Sequence, residues 1–335
     1  MSTLQQFGND TSTAEIVDYT VSNWVTRTSA ADSLWYAIAW NGTVFAALSI
    51  SNAVGVQVQT SPDGIAWTVR TSSEANGWQG IAWNGTVFAA VAGDGTNRVM
   101  TSPDGITWTA RAAAAANNWV AIAWNGTVFA AVSSTGTGNR VMTSPDGITW
   151  TIRTSAADNN WQAIAWNGTV FAAVAGSGAS NRVMTSPDGI TWTIRTSAAD
   201  NNWTGIAWNG TVFAAVAETG TGVMTSPDGI TWTTRSTPIS NQWSGLAWGG
   251  GTFVAVSNSS TSDIITSPDG ITWTLRNSGL AVPRRGIAWN GLGTAPMYLL
   301  PTPGSATAGT VFAAVSWSGT GNRVMTNLFY KRDAT

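Results

Sequence analysis

The chain has 335 residues, of which 10% are charged and 43% hydrophobic, with 36 glycines and 21 tryptophans. That balance excludes a disordered polyelectrolyte, and Lys+Arg 15 against Asp+Glu 17 excludes the basic field that gathers nucleic-acid phosphates. With no Cys and no His, it also excludes disulfides, Cys/His metal sites, Cys nucleophiles and every triad with a histidine base.

Residues 1–20 are polar and read as an N-terminal arm; they lack the basic start and apolar core of a Sec-type signal. No apolar run is long enough for a membrane span, so no membrane insertion is expected. The remainder, 21–335, reads as one repeat domain. It begins with Ser22 to Thr28 (SNWVTRT), a strand pattern with no strands before it.

A unit of about 41 residues then recurs, and such a period signals a solenoid or a propeller. TSPDG occurs six times, at Asp63, Asp104, Asp146, Asp188, Asp228 and Asp269. AWNG or a near variant, followed by TVFAAV or a near variant, occurs seven times, with its tryptophan at Trp40, Trp83, Trp124, Trp166, Trp208, Trp248 and Trp289. In the unit from Trp161 to Asn202, WQAIAW, TVFAAV, RVMTS and ITWTIRT are short runs of β-branched, aromatic and small apolar residues. Asn167-Gly168 supplies the residues tolerant of positive φ that a tight hairpin needs, and Pro187-Asp188-Gly189 supplies a second turn. Each unit therefore reads as four antiparallel strands.

The last copy departs from the others. Arg284, followed by Arg285, stands where tryptophan opens the first strand, and 292–309 (LGTAPMYLLPTPGSATAG) is inserted between WNG and TVFAAV. It stops after a third strand, Asn322 to Thr326, and so lacks the fourth-strand pattern that Ser22 to Thr28 provides. The expected fold is all-β: a seven-bladed β-propeller closed by pairing of the N-terminal strand in the last blade, which removes exposed sheet edges. The tryptophans at three repeated places are its expected core, each able to bury about 150–250 Å².

The motif S-P-D-G-I-T-W, as in Ser186 to Trp192, resembles the Asp-box of sialidase-like and BNR-repeat propellers, in a form one residue shorter between Asp and Gly. The resemblance implies a propeller whose Asp-box lies in the hairpin between third and fourth strands, away from any catalytic face. It does not carry a sialidase site, because eleven of the fourteen arginines fall at repeated positions and glutamates are only Glu15, Glu74 and Glu218.

Three groups of residues are candidate sites. The pairs Asn118-Trp119, Asn160-Trp161 and Asn202-Trp203 stand where blade-to-blade loops enter the inner strand. An amide beside an indole suits a sugar, although the same residues would also serve as turn and interblade core. Tyr36, Glu74, Arg284 and Arg285 would share the seam of a closed ring, either as a cluster for an acidic ligand or as packing around the chain ends. Met297, Tyr298, Leu299 and Leu300, between two prolines of the insertion, would offer an apolar tip to a partner chain or fold back on their own blade. No catalytic residue, metal or cofactor is expected; one Asp per blade offers too few oxygens in one place for calcium.

The combined expectation is a non-enzymatic structural or adhesive propeller, as in a bacteriophage virion, mediating assembly or recognition of host-surface glycans. Expected partners are other virion or scaffold chains and cell-surface glycans, with neither nucleic acid nor a membrane, in a virion or outside the cell after release. A multivalent lectin of cellular origin is the alternative. An Asp-box glycosidase using Glu74 or Glu218 would need a second carboxylate that the sequence does not place.

Overall fold

The computed structural model describes residues 24–51, 55–259, 263–276, 283–291, 311–316 and 323–328. The N-terminal arm and Met297 to Leu300 lie outside the described residues. Within them, 28 strands form seven four-stranded antiparallel sheets, and no helix is present. Each inner strand packs beside the inner strands of the two adjacent sheets, the last beside the first, so the sheets are the blades of a closed ring.

The blade from Trp161 shows how the sequence dictates this. Its strands are Trp161–Trp166, Phe171–Ala175, Val183–Ser186 and Thr193–Arg195. The second and third are buried at every residue, because both faces of the sheet are covered by neighbouring blades. That explains why FAAVA and VMTS do not alternate polar and apolar residues. Trp161, Phe171, Met184 and Trp192 of this blade pack on Ala130, Val132 and Val141 of the preceding one. Small alanines on one surface leave room for large rings on the other.

The three tryptophan sets occupy three environments. Those opening the inner strands, Trp35, Trp78, Trp119, Trp161, Trp203 and Trp243, have no exposed surface. Those leading into the outer strands, such as Trp150 and Trp192, are 8% exposed. Those closing the inner strands, Trp40, Trp83, Trp124, Trp166, Trp208, Trp248 and Trp289, are only half-buried and form a collar around the axis.

Trp24–Arg27 is the outer strand of the seventh blade, beside Val324–Leu328, with Trp24 opposite Asn327 and Arg27 opposite Val324. One arginine contact found in every blade, and another found in the second, third and fourth, are repeated at this seam. In a normal blade the outer-strand arginine donates across the sheet, as from Arg195 Nε to Thr185 Oγ1 at 2.9 Å; at the seam Arg27 Nε donates to Thr326 Oγ1 at 3.0 Å. The arginine before the third strand ties down the linker to the next blade, as Arg140 does to Asn159 O at 2.9 Å. Arg323 does the same to Ser33 O at 2.6 Å and pairs with Asp32 at 2.7 Å, as Arg140 pairs with Asp158 at 3.5 Å. Ring closure thus uses the repeat's own contacts across the chain ends.

The SPDG hairpins are built alike. Gly189 N donates to Ser186 Oγ at 2.8 Å, Ile190 N and Thr191 N donate to Asp188 Oδ1 at 2.8 and 3.0 Å, and Trp192 Nε1 donates to Gly189 O at 2.9 Å. Desolvation raises the Asp188 pKa, but the amides of Thr191 and Ile190 and the Ser186 hydroxyl outweigh it and hold the carboxyl below its ordinary value. Among the described residues no group of three or more Asp or Glu side chains converges, and no helix is long and apolar enough to cross a membrane.

Candidate binding face

All seven inner strands carry a β-bulge immediately after their first residue. A bulge leaves one residue out of the pairing register and re-aims its side chain. The residues so released are Tyr36, Gln79, Val120, Gln162, Thr204, Ser244 and Arg285, and all seven line a cavity of roughly 190 Å³ on the ring axis. Below them lies a narrow ring of Ala37, Gly80, Ala121, Ala163, Gly205, Gly245 and Gly286, and then isoleucines with Leu246. In strand order the lining is a mostly polar, varied mouth that includes Val120, a small-residue waist and an apolar floor. The mouth residues stand at the end of the inner strands that the blade-to-blade loops enter.

The glycines of the waist are there for space. A Cβ on Gly286 would sit 2.7 Å from the Tyr36 carbonyl oxygen, and one on Gly245 would collide with the Arg285 carbonyl. Close approach of neighbouring inner strands brings the mouth residues together. Thr204 Oγ1 donates to Trp243 O at 2.6 Å and Ser244 Oγ donates to Arg284 O, so these hydroxyls hold adjacent blades. Gln79 Nε2 donates to Asn118 Oδ1 at 2.9 Å. Gln162 and the Tyr36 hydroxyl make no hydrogen bond among the described residues and remain available to a ligand.

Tyr36 and Arg285 meet at the seam, with the Arg285 guanidinium 5.5 Å from the Tyr36 ring centroid. The acidic partner is Glu218, reaching from the fifth blade to within 3.8 Å of Arg285 and accepting from Asn202 Nδ2. Glu74 is not brought to this group: its carboxylate accepts from Asn97 and Asn76 at the rim of the second blade. Arg284 lies beneath the mouth with no exposed surface, and its Nε donates to Met325 Sδ at 2.7 Å. Burial pushes its pKa down to about 10, partly countered by Asp263, so it stays protonated at neutral pH.

The asparagine–tryptophan pairs divide. Trp119, Trp161 and Trp203 present no surface, and each Nε1 is spent on a linker carbonyl, so a sugar has no indole face to stack on there. Asn118 and Asn202 are part-exposed and Asn160 exposed on the rim, where each hydrogen-bonds a neighbouring side chain. Sequence reasoning passed over Gln79, Val120, Gln162, Thr204 and Ser244, although they stand one residue after the tryptophans it singled out. The available signal was their variation from blade to blade between near-constant neighbours.

No family model matches the chain and no curated protein matches its sequence, so the Asp-box resemblance rests on the motif and its turn geometry. Among solved structures it is similar to virginiamycin B lyase from Staphylococcus aureus, with TM-score 0.72 and 9% identity over 92% of this chain and 98% of that one. It is similar as well to YCF48 from Cyanidioschyzon merolae, with TM-score 0.63 and 12% identity over 92% of this chain and 98% of that one. A structure of YCF48 bound to D1 peptide aligns with TM-score 0.64 and 12% identity, over 93% of this chain and 96% of that one. The class is thus the seven-bladed β-propeller, and the same fold serves lyases and peptide-binding proteins. Likeness to a lyase corrects the expectation of a non-enzymatic protein: this fold does not by itself exclude catalysis.

Proposed function

We propose that this chain is a recognition propeller of an exposed particle surface, such as a bacteriophage virion, in which the axial mouth binds a hydroxyl-rich ligand of the host-surface glycan class. The observation that carries the reading is the ring of bulged residues. Their neighbours along the strand are confined to Ala or Gly and to Ile or Leu, whereas this position carries Tyr, Gln, Val, Thr, Ser and Arg. Seven repeated blades supply a rigid frame, and one non-repeated ring supplies specificity. Amide, hydroxyl and phenol groups around an apolar floor match a sugar's alternating hydroxyl and C–H surfaces. A low-charge surface of Thr, Ser, Asn and Gly and a single lysine, Lys331, favour a display role.

A glycan-array screen of the purified chain beside Gln162→Ala tests the reading. Gln162 makes no hydrogen bond among the described residues, so its truncation should leave the fold intact. Loss of one ligand hydrogen bond worth about 1 kcal/mol weakens binding roughly fivefold. Absence of binding to any glycan, or equal binding by both proteins, overturns the axial glycan site. An extended peptide end in the same cavity is a second reading, supported by the likeness to YCF48 bound to D1 peptide; a peptide array run in parallel separates the two.

A further inference from the structure

The opposite end of the axis carries a feature that the axial mouth does not use. Among the repeated tryptophans outside the collar, nearly all indole N–H groups are spent internally. Five of the six that open inner strands donate to a linker carbonyl, and six of the seven before outer strands donate to the Asp-box glycine carbonyl. The seven collar tryptophans differ: none donates its Nε1–H to any described residue. In six of them, Trp289 excepted, that nitrogen also keeps solvent access.

The collar indoles are rigidly placed. Each of the first six blades holds its indole against its own phenylalanine, with Trp166 and Phe171 centroids 4.8 Å apart and Trp166 leaning on the preceding blade. Trp289 lies directly over Gly249 of the sixth blade, and Trp40 Nε1 comes within 4.0 Å of the Cβ position at Gly291. The adjoining turn is low and open: at Gly168, φ is +98°, and nothing lies within 4 Å of the place a Cβ would occupy. Thr169 Oγ1 donates to Asn167 Oδ1 at 2.9 Å, which leaves an exposed hydroxyl oxygen able to accept. The notch at each of the first five blades therefore offers part of an aromatic face, an unspent N–H donor and a hydroxyl acceptor.

We infer that the collar is a second, repeated binding site, one shallow subsite at each of the first five blades, for neutral pyranose rings of a polysaccharide. A pyranose presents C–H groups to an aromatic surface and hydroxyls to the donor and acceptor at its edge. No charged side chain is needed, and the Asp-box carboxylates nearby are already held by their own backbone amides. Weak equivalent subsites around one axis gain through simultaneous engagement of a repeating chain. The site is separate from the axial mouth and stands or falls independently of it.

The test is a nitrogen-15 NMR titration of tryptophan-labelled protein with maltohexaose, cellohexaose and chitohexaose as separate probes. The indole N–H signals report each tryptophan directly, and single Trp→Phe variants assign them. The expected result is concerted movement of the collar signals with one probe, while opening and outer-strand signals stay still. Trp166→Phe and Trp208→Phe each remove one subsite, and Gln162→Ala leaves the collar response unchanged. Failure of all three sugars to move any collar signal, or movement confined to residues near the axial mouth, overturns the inference.

Discussion

Arg284 occupies the place of a tryptophan, and Arg284→Trp asks what that exchange costs the fold. Six inner strands open on a tryptophan with no exposed surface, and Arg284 is equally buried at the seventh. Its pKa falls by some two units, to about 10, chiefly through desolvation. At roughly 1.4 kcal/mol per unit, that shift corresponds to about 3 kcal/mol against the charged form, to order of magnitude. Trp removes this penalty and restores the ring that other blades accommodate, while losing the bond to Met325 Sδ and the attraction to Asp263. Replacing buried ionic groups with well-packed apolar ones stabilises by about 1–4 kcal/mol when it helps, so a gain of about 2 kcal/mol is expected. In a chain of this size the midpoint should rise by roughly 3 °C. Differential scanning calorimetry and guanidinium unfolding of wild type and Arg284→Trp measure it. A lower midpoint in both would refute the reasoning and show that Arg284 holds the seam.

Further expectations concern the waist, the core and the hairpins. Gly286→Ala forces a methyl group to within 2.7 Å of the Tyr36 carbonyl and 3.1 Å of Val315, so it should destabilise the closed ring by about 1–3 kcal/mol; an unchanged denaturation midpoint would mean the seam has slack. Trp161→Ala deletes a fully buried ring and should cost about 3–5 kcal/mol, whereas Trp166→Phe, in the half-buried collar, should cost less than about 1.5 kcal/mol by the same assay. The six Asp-box carboxyls have native pKa values below 3.8, so the unfolded chain binds more protons near pH 4. Their stabilising effect is complete above the unfolded value and lost as pH falls through the native ones. Asp188→Asn should therefore flatten the acid limb of a stability-against-pH curve, and an identical limb would contradict the role of those amide bonds.

The fold was legible because the repeat placed every strand and turn several times over. Asn167-Gly168 and Pro187-Asp188-Gly189 named their turns, and the unmatched Trp24 strand and the incomplete last copy pointed to one another across the chain. The site was less legible, since a β-bulge is a property of pairing between two strands and leaves no mark in one of them. Without it, Gln162 reads as one more residue between a tryptophan and an alanine. The same ignorance of pairing left Trp161 open as either a sugar-facing residue or interblade core, of which its burial fits the second, and gave no reason to consider the half-buried Trp166. Tyr36 and Arg285 were reachable because they break the repeat, whereas the partner Glu218 comes from two blades away, a distance that only the closed ring makes short.

The most direct test of axial recognition is a crystal structure of the wild-type chain soaked with the tightest-binding glycan from the array. Ligand density within hydrogen-bonding distance of Gln162 and the Tyr36 hydroxyl is the expected result. Density elsewhere with an empty mouth would contradict an axial recognition site.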